Sequence, residues 1–316
     1  MDKKLYESYI KNLELNDTRL NTIKSVKSDL NTLYNYIASQ DIKSETEYFQ
    51  NVTLTDVQNM MRNLREKYKP STYNRKLVNL KVFFQYIVDN TTLLDINYFN
   101  SIKQISSDIV ENETKEKDII SIDNIRKILK ATNQKDNEKK EKFDFNSKRN
   151  KAIITILACY GNRIEEILSA KFSDIKSIDN IKYINIPKIR VKNRLDKKIF
   201  IANEIEKNLN EYLKVRNSIL SHNDDDYIFS SINGKKLTSN NINAALSNLC
   251  KKANIEKHIT CHCFRHICTL EMQKNLVPEY LIDEIIGWKK NSMQSRYSKH
   301  LTHEKIYNII SATNLI

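Results

Sequence analysis

Along the first hundred residues apolar side chains recur every three or four positions, and almost no stretch alternates. In "KPSTYNRKLVNLKVFFQYIVDN" the set Tyr73, Leu77, Leu80, Phe84 and Ile87 keeps that spacing, which predicts a helix with one buried face. Pro70 and Ser71 mark its start, and Arg75, Lys76 and Asn79 take the other faces. A polar, charged stretch, "KQISSDIVENETKEKD", breaks the periodicity before "IISIDNIRKILKAT" resumes it. The pattern predicts a helical domain over 1–105, a linker over 106–117 and a second domain over 118–316. A further charged stretch, "NQKDNEKKEKFDFNSK", reads as a solvated loop.

In the second domain "KRNKAIITILACY" predicts a helix closed by Gly161, and "NRIEEILSAKF" a second helix that starts at once. "IKYINI" and "KKIFIA" read as strands joined by the basic turn "PKIRVKNRLD". "DDDYIFSS" and "NGKKLT" add a short extended piece and a turn, and the chain after Thr238 is again helical. The fold class is therefore mainly α with a small β-sheet: a helical domain followed by a mixed α/β domain. The longest apolar run, "AIITILACY", falls far short of the roughly 18 residues that span a bilayer, and the N-terminus has no apolar signal segment. A protein with no membrane contact is expected. Five cysteines in irregular positions do not form a disulfide framework, which fits a reducing cytoplasm. Cys261, His262, Cys263 and Cys268 lack a second pair at finger spacing, so no metal is expected.

Charge changes the picture. Fifty-two Lys and Arg against 39 Asp and Glu leave a formal charge of +13, which points to a polyanionic partner and first to nucleic acid. Basic balance alone also arises from compositional bias in Lys- and Asn-rich chains. With DNA in view, Arg75, Lys76 and Lys81 become candidate backbone contacts; a merely solvated basic face is the alternative.

Three stretches concentrate the chemistry: "YGNRIEEILSAKFSDI", "TCHCFRHICTL" and "IIGWKKNSMQSRYSKH". In order they give Arg163 after a helix stop, His262-x-x-Arg265-His266, Gly287-Trp288, and Tyr297 nine residues after the tryptophan. Order and spacing together resemble the tyrosine site-specific recombinases, the phage integrase family. The resemblance covers the second domain, and "STYNRKLVNLKVFFQYI" is similar to the last helix of that family's SAM-like core-binding domain. Breaking DNA by transesterification needs a nucleophile, charge stabilisation of a phosphorane-like transition state and a proton for the departing 5′ oxygen. The resemblance assigns the nucleophile to Tyr297, the electrostatic clamp to Arg163 and Arg265, and proton transfer at the tyrosine to His262. It makes Glu166 a support for the cations, Trp288 a donor to phosphate, and His266 a packing or hydrogen-bonding neighbour. The resemblance also implies a general acid, a lysine in the strand turn, where Lys188, Arg190, Lys192 and Arg194 compete; counting back from "KKIFIA" favours Lys192.

A 3′-phosphotyrosyl bond conserves the phosphodiester energy, so no cofactor is expected. The resemblance implies double-stranded DNA with paired inverted core sites, and a homotetramer on two sites that passes its C-terminal helix between protomers. In that helix, "THEKIYNIISATNLI", the apolar stripe Ile306, Ile309 and Ile310 either packs on its own domain or docks on a neighbour. At 316 residues no additional arm-binding domain is expected before these two. A type IB topoisomerase, a telomere resolvase and a catalytically silent DNA-binding relative are the alternatives. Abundant Asn, Lys and Ile fit an AT-rich genome, a bacterium or its mobile elements.

Overall fold

The computed structural model describes residues 3–40, 42–106, 120–134, 140–178, 180–190, 196–221, 223–287 and 303–312. Two compact units divide the chain, residues 1–115 and 116–316. The polar stretch read as a linker falls, from 107 on, outside the described residues.

The first unit is helical: α1 Lys4–Leu15, α2 Leu20–Ala38, α3 Glu45–Asn51, α4 Leu54–Lys67 and α5 Pro70–Asn90. Local chemistry sets their starts. Ser44 caps α3, Thr53 and Asp56 form a reciprocal capping box on α4, and Pro70 occupies the first turn of α5. α5 buries Tyr73, Leu77, Leu80, Phe84 and Ile87, as their spacing predicts, together with Phe83. α2 supplies Ile23, Val26, Leu30, Leu33 and Ile37 to the same core.

The outer faces of α5 depart from the prediction. Asp29, on α2, is fully buried and accepts from Arg75 Nη2 at 2.9 Å, Lys76 Nζ at 3.1 Å and Asn79 Nδ2 at 2.7 Å. Lys76 also donates to Thr32 at 2.8 Å, lies over the Tyr68 ring, and is only 4% exposed. A carboxylate taken out of water recruits cations, so Lys76 turns inward and its charge is committed to Asp29 rather than presented to a phosphate. Arg75 keeps about half of its side chain in solvent while holding Ser25 and Asp29. Lys81 remains half-buried at the surface.

The second unit contains α6 Ile122–Ala131, α7 Lys140–Tyr160 and the short α8 Ile164–Leu168. An antiparallel sheet follows, β1 Ile175–Ile178, β2 Ile181–Ile186 and β3 Lys197–Phe200, in the order β1-β2-β3. Helices α9 Asn203–Ile219, α10 Ser239–Lys252, α11 Cys261–Lys274, α12 Glu279–Ile286 and α13 His303–Ala312 complete it. From Ala152 to Tyr160 every residue of α7 is buried, the signature of a helix surrounded on all sides.

Three elements differ from the sequence-based expectation. The charged stretch before Lys148 is helical from Lys140, because Phe145 is fully buried, edge-on to Tyr212, and Arg149 is anchored to the Ser230 carbonyl at 3.2 Å. The second helix is confined to Ile164–Leu168, after which Asp174 turns the chain into an unforeseen strand, β1, by accepting from Lys171 N at 2.7 Å. The extended piece near Tyr227 pairs only through isolated bridges, Lys171 with Tyr227 and Ser230 with Lys236. In α13, Ile310 is buried in the unit's core and Ile306 and Ile309 pack against it.

Gly161 ends α7 at φ +56°, its N–H bonded to the Leu157 carbonyl at 2.9 Å. A Cβ there would lie 2.9 Å from Ile286 Cδ1 and 3.2 Å from the Arg265 Cα, so α11 and α12 close directly onto this turn.

Two stability outcomes follow from these contacts. Asp29→Ala strands a buried ammonium and is expected to cost about 3–5 kcal/mol in chemical denaturation, whereas Arg75→Ala, at a half-exposed pair, costs about 1 kcal/mol or less. Equal losses would mean that Asp29 is not the hub of the first unit. Gly161→Ala should lower the melting temperature clearly more than Gly234→Ala. Both pay the left-handed penalty of about 1–2 kcal/mol, but the new methyl meets backbone only at Gly161, since Gly234 has open space around it.

Candidate active site

The turn at Gly161 places Arg163 at the N-terminus of α8, where Glu166 completes one helical turn below it. Arg163 Nη1 meets Glu166 Oε1 at 3.0 Å, and the Arg163 N–H reaches Oε2 at 3.4 Å. Glu166 is 2% exposed, so this is a buried carboxylate and not the surface pair that i,i+3 spacing alone would suggest. Its second oxygen accepts from Lys197 Nζ at 3.3 Å.

Lys197 opens β3, and its side chain is 6% exposed. The same ammonium donates to the Ile286 carbonyl at 2.9 Å, at the last residue of α12. Arg265, from α11, donates through Nη1 to that same carbonyl at 2.8 Å and to the Gly161 carbonyl at 2.9 Å. Gly287, at φ +76°, then turns the chain out of α12.

The electrostatics record how tightly these charges are held. Burial lowers Arg265 to about 10, and the neighbouring Arg163 guanidinium pushes the same way against Glu166. Burial likewise lowers Lys197 to about 8, with Arg265 and Arg163 adding repulsion and Glu166 opposing it. Three cations thus converge on one buried carboxylate and two helix-terminal carbonyls, and the pocket carries a surplus of positive charge. On α11 the exposed rings of His262 and His266 meet edge to face, with centroids 4.6 Å apart. Arg265, between them in sequence, is buried.

The structure therefore brings Arg163, Glu166 and Arg265 into one network, with His262 and His266 on the α11 helix that carries Arg265. Lys192, Trp288 and Tyr297 lie outside the described residues. Of the other contenders in the strand turn, Lys188 is exposed, while Arg190 forms a two-pronged pair with Asp174 at 2.6 and 2.8 Å. Arg194 also falls outside the described residues. Sequence reasoning missed Lys197, although strand alternation could have found it: Lys197 and Ile199 share the buried face of β3. The five cysteines are free and buried, and burial raises Cys159 and Cys261 to about 12, which keeps them as neutral packing groups.

Most of the chain is similar to known proteins. A tyrosine recombinase of Agathobacter rectalis is 27% identical over 297 residues, covering 92% of this chain and 89% of the relative. The tyrosine recombinase XerC of Leptospira interrogans is 25% identical over 308 residues, covering 97% and 90%. Among solved structures, a lambda integrase dimer bound to a core site superposes with a TM-score of 0.68 at 13% identity, over 92% of this chain and 95% of that one, which shows a shared fold. Residues 6–91 match the phage integrase N-terminal SAM-like domain. Residues 119–304, more than half of the chain, match the phage integrase family itself, and the protein belongs to that family, the tyrosine recombinases, which cleave and rejoin DNA.

Proposed function

We propose that the chain recombines double-stranded DNA at paired inverted core sites, four protomers assembling on two sites and exchanging strands through a Holliday junction. The observation that carries this reading is the gathering of three cations in one buried network: Arg163 and Lys197 on the Glu166 carboxylate, and Arg265 beside them on the Gly161 and Ile286 carbonyls. Guanidinium groups so placed repel each other until an anion arrives, and a phosphodiester supplies one. A lambda integrase of the same fold has been solved as a tetramer on a Holliday junction, which supports the assembly. Among the described residues no helix is long and apolar enough to cross a membrane, and we place the work in the cytoplasm, on chromosomal or mobile-element DNA.

The reaction is two transesterifications. The Tyr297 phenolic oxygen attacks phosphorus, a tyrosyl–phosphate bond forms as the bond to the 5′ oxygen breaks, and that oxygen takes a proton from the turn lysine, Lys192. A free phenol titrates at about 10, so the local positive field favours the phenolate, and His262 receives the phenolic proton. Arg163, about a third exposed, faces the incoming phosphate, while Arg265 contributes its charge from beneath. Trp288 donates its indole N–H to a phosphate oxygen. In the second step the 5′ hydroxyl of the exchanged strand gives its proton back to the turn lysine and attacks phosphorus, the tyrosyl–phosphate bond breaks, and Tyr297 regains its proton from His262. Lys81 and the exposed part of Arg75 contact the DNA backbone from the first domain, and 106–117 joins the two domains.

Incubation with a nicked suicide substrate is expected to yield a covalent protein–DNA adduct that survives denaturing gels. Tyr297→Phe should abolish it while half-site binding persists; an adduct formed by that variant would move the nucleophile elsewhere. Two intact sites separate recombinase from topoisomerase, since only the former joins DNA between them.

The packing of α13 on its own unit describes the single chain, and assembly passes this helix to a neighbouring protomer. Its apolar stripe is too short to be helical by itself, so it folds only against a partner surface, either its own or another's. Deletion of the residues after Thr302 should leave one protomer bound to a half-site, weaken cooperative filling of a full site and abolish strand exchange. Normal recombination, or unfolding of the truncated protein, would rule out docking on a neighbour.

A further inference from the structure

We propose that Lys197 is a positioning residue that locks the two arginines and the end of α12 into one unit, an inference that rests on the recombinase reading above. Its ammonium touches Glu166 Oε2 at 3.3 Å and the Ile286 carbonyl at 2.9 Å. Arg163 holds the other oxygen of Glu166, and Arg265 holds the same Ile286 carbonyl. Lys197 is thus the one side chain described that touches both arms of the network. Buried at the head of β3, it acts through Glu166 and Ile286 and not by touching DNA. Ile286 immediately precedes Gly287, and from there the chain runs on to Trp288 and Tyr297. Fixing the Ile286 carbonyl therefore fixes where the nucleophile's segment departs, in the frame set by Arg265.

A donor is required because its partners are a carboxylate and a carbonyl that accept nothing from an apolar side chain, and a charged donor also offsets the buried charge of Glu166. Among the described residues, the charged and titratable groups facing it are Glu166 and Arg163 from α8 and its N-terminus, and Arg265 and the Cys268 thiol from α11, the thiol held neutral by burial. Together with burial they place its deprotonation at about pH 8 instead of its usual value of 10.5. The sign is that of a depressed base: the ammonium is present below about pH 8 and lost above it. The tie to Glu166 then loses its charge while the phenolate fraction of the nucleophile keeps growing.

The test measures adduct formation on a nicked suicide substrate across pH 6 to 10 for the full-length wild-type, Lys197→Met and Lys197→Arg proteins, with half-site binding in parallel. Lys197→Met should bind normally and cleave on the order of a hundredfold more slowly, the scale of a small misplacement of reacting groups. The wild-type profile, normalised to its own maximum, should fall above pH 8. In Lys197→Arg that fall should be absent, because a guanidinium stays protonated. Wild-type rates in Lys197→Met, or an unchanged alkaline fall in Lys197→Arg, would overturn the proposal. Should circular dichroism show Lys197→Met unfolded, the profile shape of Lys197→Arg decides alone. Absence of any adduct from the wild type would instead sink the recombinase reading, and the positioning role with it.

Discussion

The arrangement of the second unit turns on the buried carboxylate of Glu166. At 2% exposure it has lost its water, and two cations replace that water, Arg163 on one oxygen and Lys197 on the other. Arg265 is held differently, by carbonyls. Its Nη1 grips Gly161 O, just past the C-terminus of α7, and Ile286 O, at the C-terminus of α12. Helix C-termini carry partial negative charge, so two macrodipoles point their negative ends at one guanidinium. That helps a third cation to sit beside the other two. The result is a site held together by hydrogen bonds yet left with unbalanced positive charge, which is what a phosphorane-like transition state requires.

Two positive-φ glycines make this possible. Gly161 and Gly287 stop their helices where the last carbonyls project toward Arg265, and a Cβ at Gly161 would clash with the Ile286 side chain and crowd the backbone of α11. In a chain with three glycines in all, this placement is geometric necessity rather than loop composition.

The helices with a clean apolar period were legible in the sequence: the five spaced positions of α5 and the stop at Gly161 both follow from it. The pairing of Arg163 with Glu166 follows from their i,i+3 spacing, whereas Arg265, about a hundred residues further on, was tied to them only by the family resemblance. What was hidden is tertiary. Lys76 reads as an outward-facing base until Asp29, nearly fifty residues away in sequence, draws it inward. The helix over 140–150 was hidden by charge, since its anchors Phe145 and Arg149 find partners, Tyr212 and Ser230, more than sixty residues downstream. Lys197 was hidden by its neighbour Lys198: two adjacent lysines look like surface, although alternation along a strand sends one of them in.

The two units use buried carboxylates in different ways, and the contrast indicates which one is built for chemistry. Glu45, 3% exposed, accepts from the Leu5 and Tyr6 N–H groups and from the Tyr34 hydroxyl, all neutral donors that pin the start of α1. Asp29 takes one buried cation and one half-exposed cation, and burial of Lys76 makes that pair a structural clasp. Glu166 is instead shared by cations that belong to a larger set, Lys197 reaching through the Ile286 carbonyl to a third charge, Arg265. Neutral donors or a matched pair would satisfy a carboxylate whose task ends with folding. Asp29 and Glu166 each meet two cations, but those of Glu166 sit beside a third, Arg265, and the tight burial of Glu166 keeps Arg163 and Lys197 from simply turning away into water.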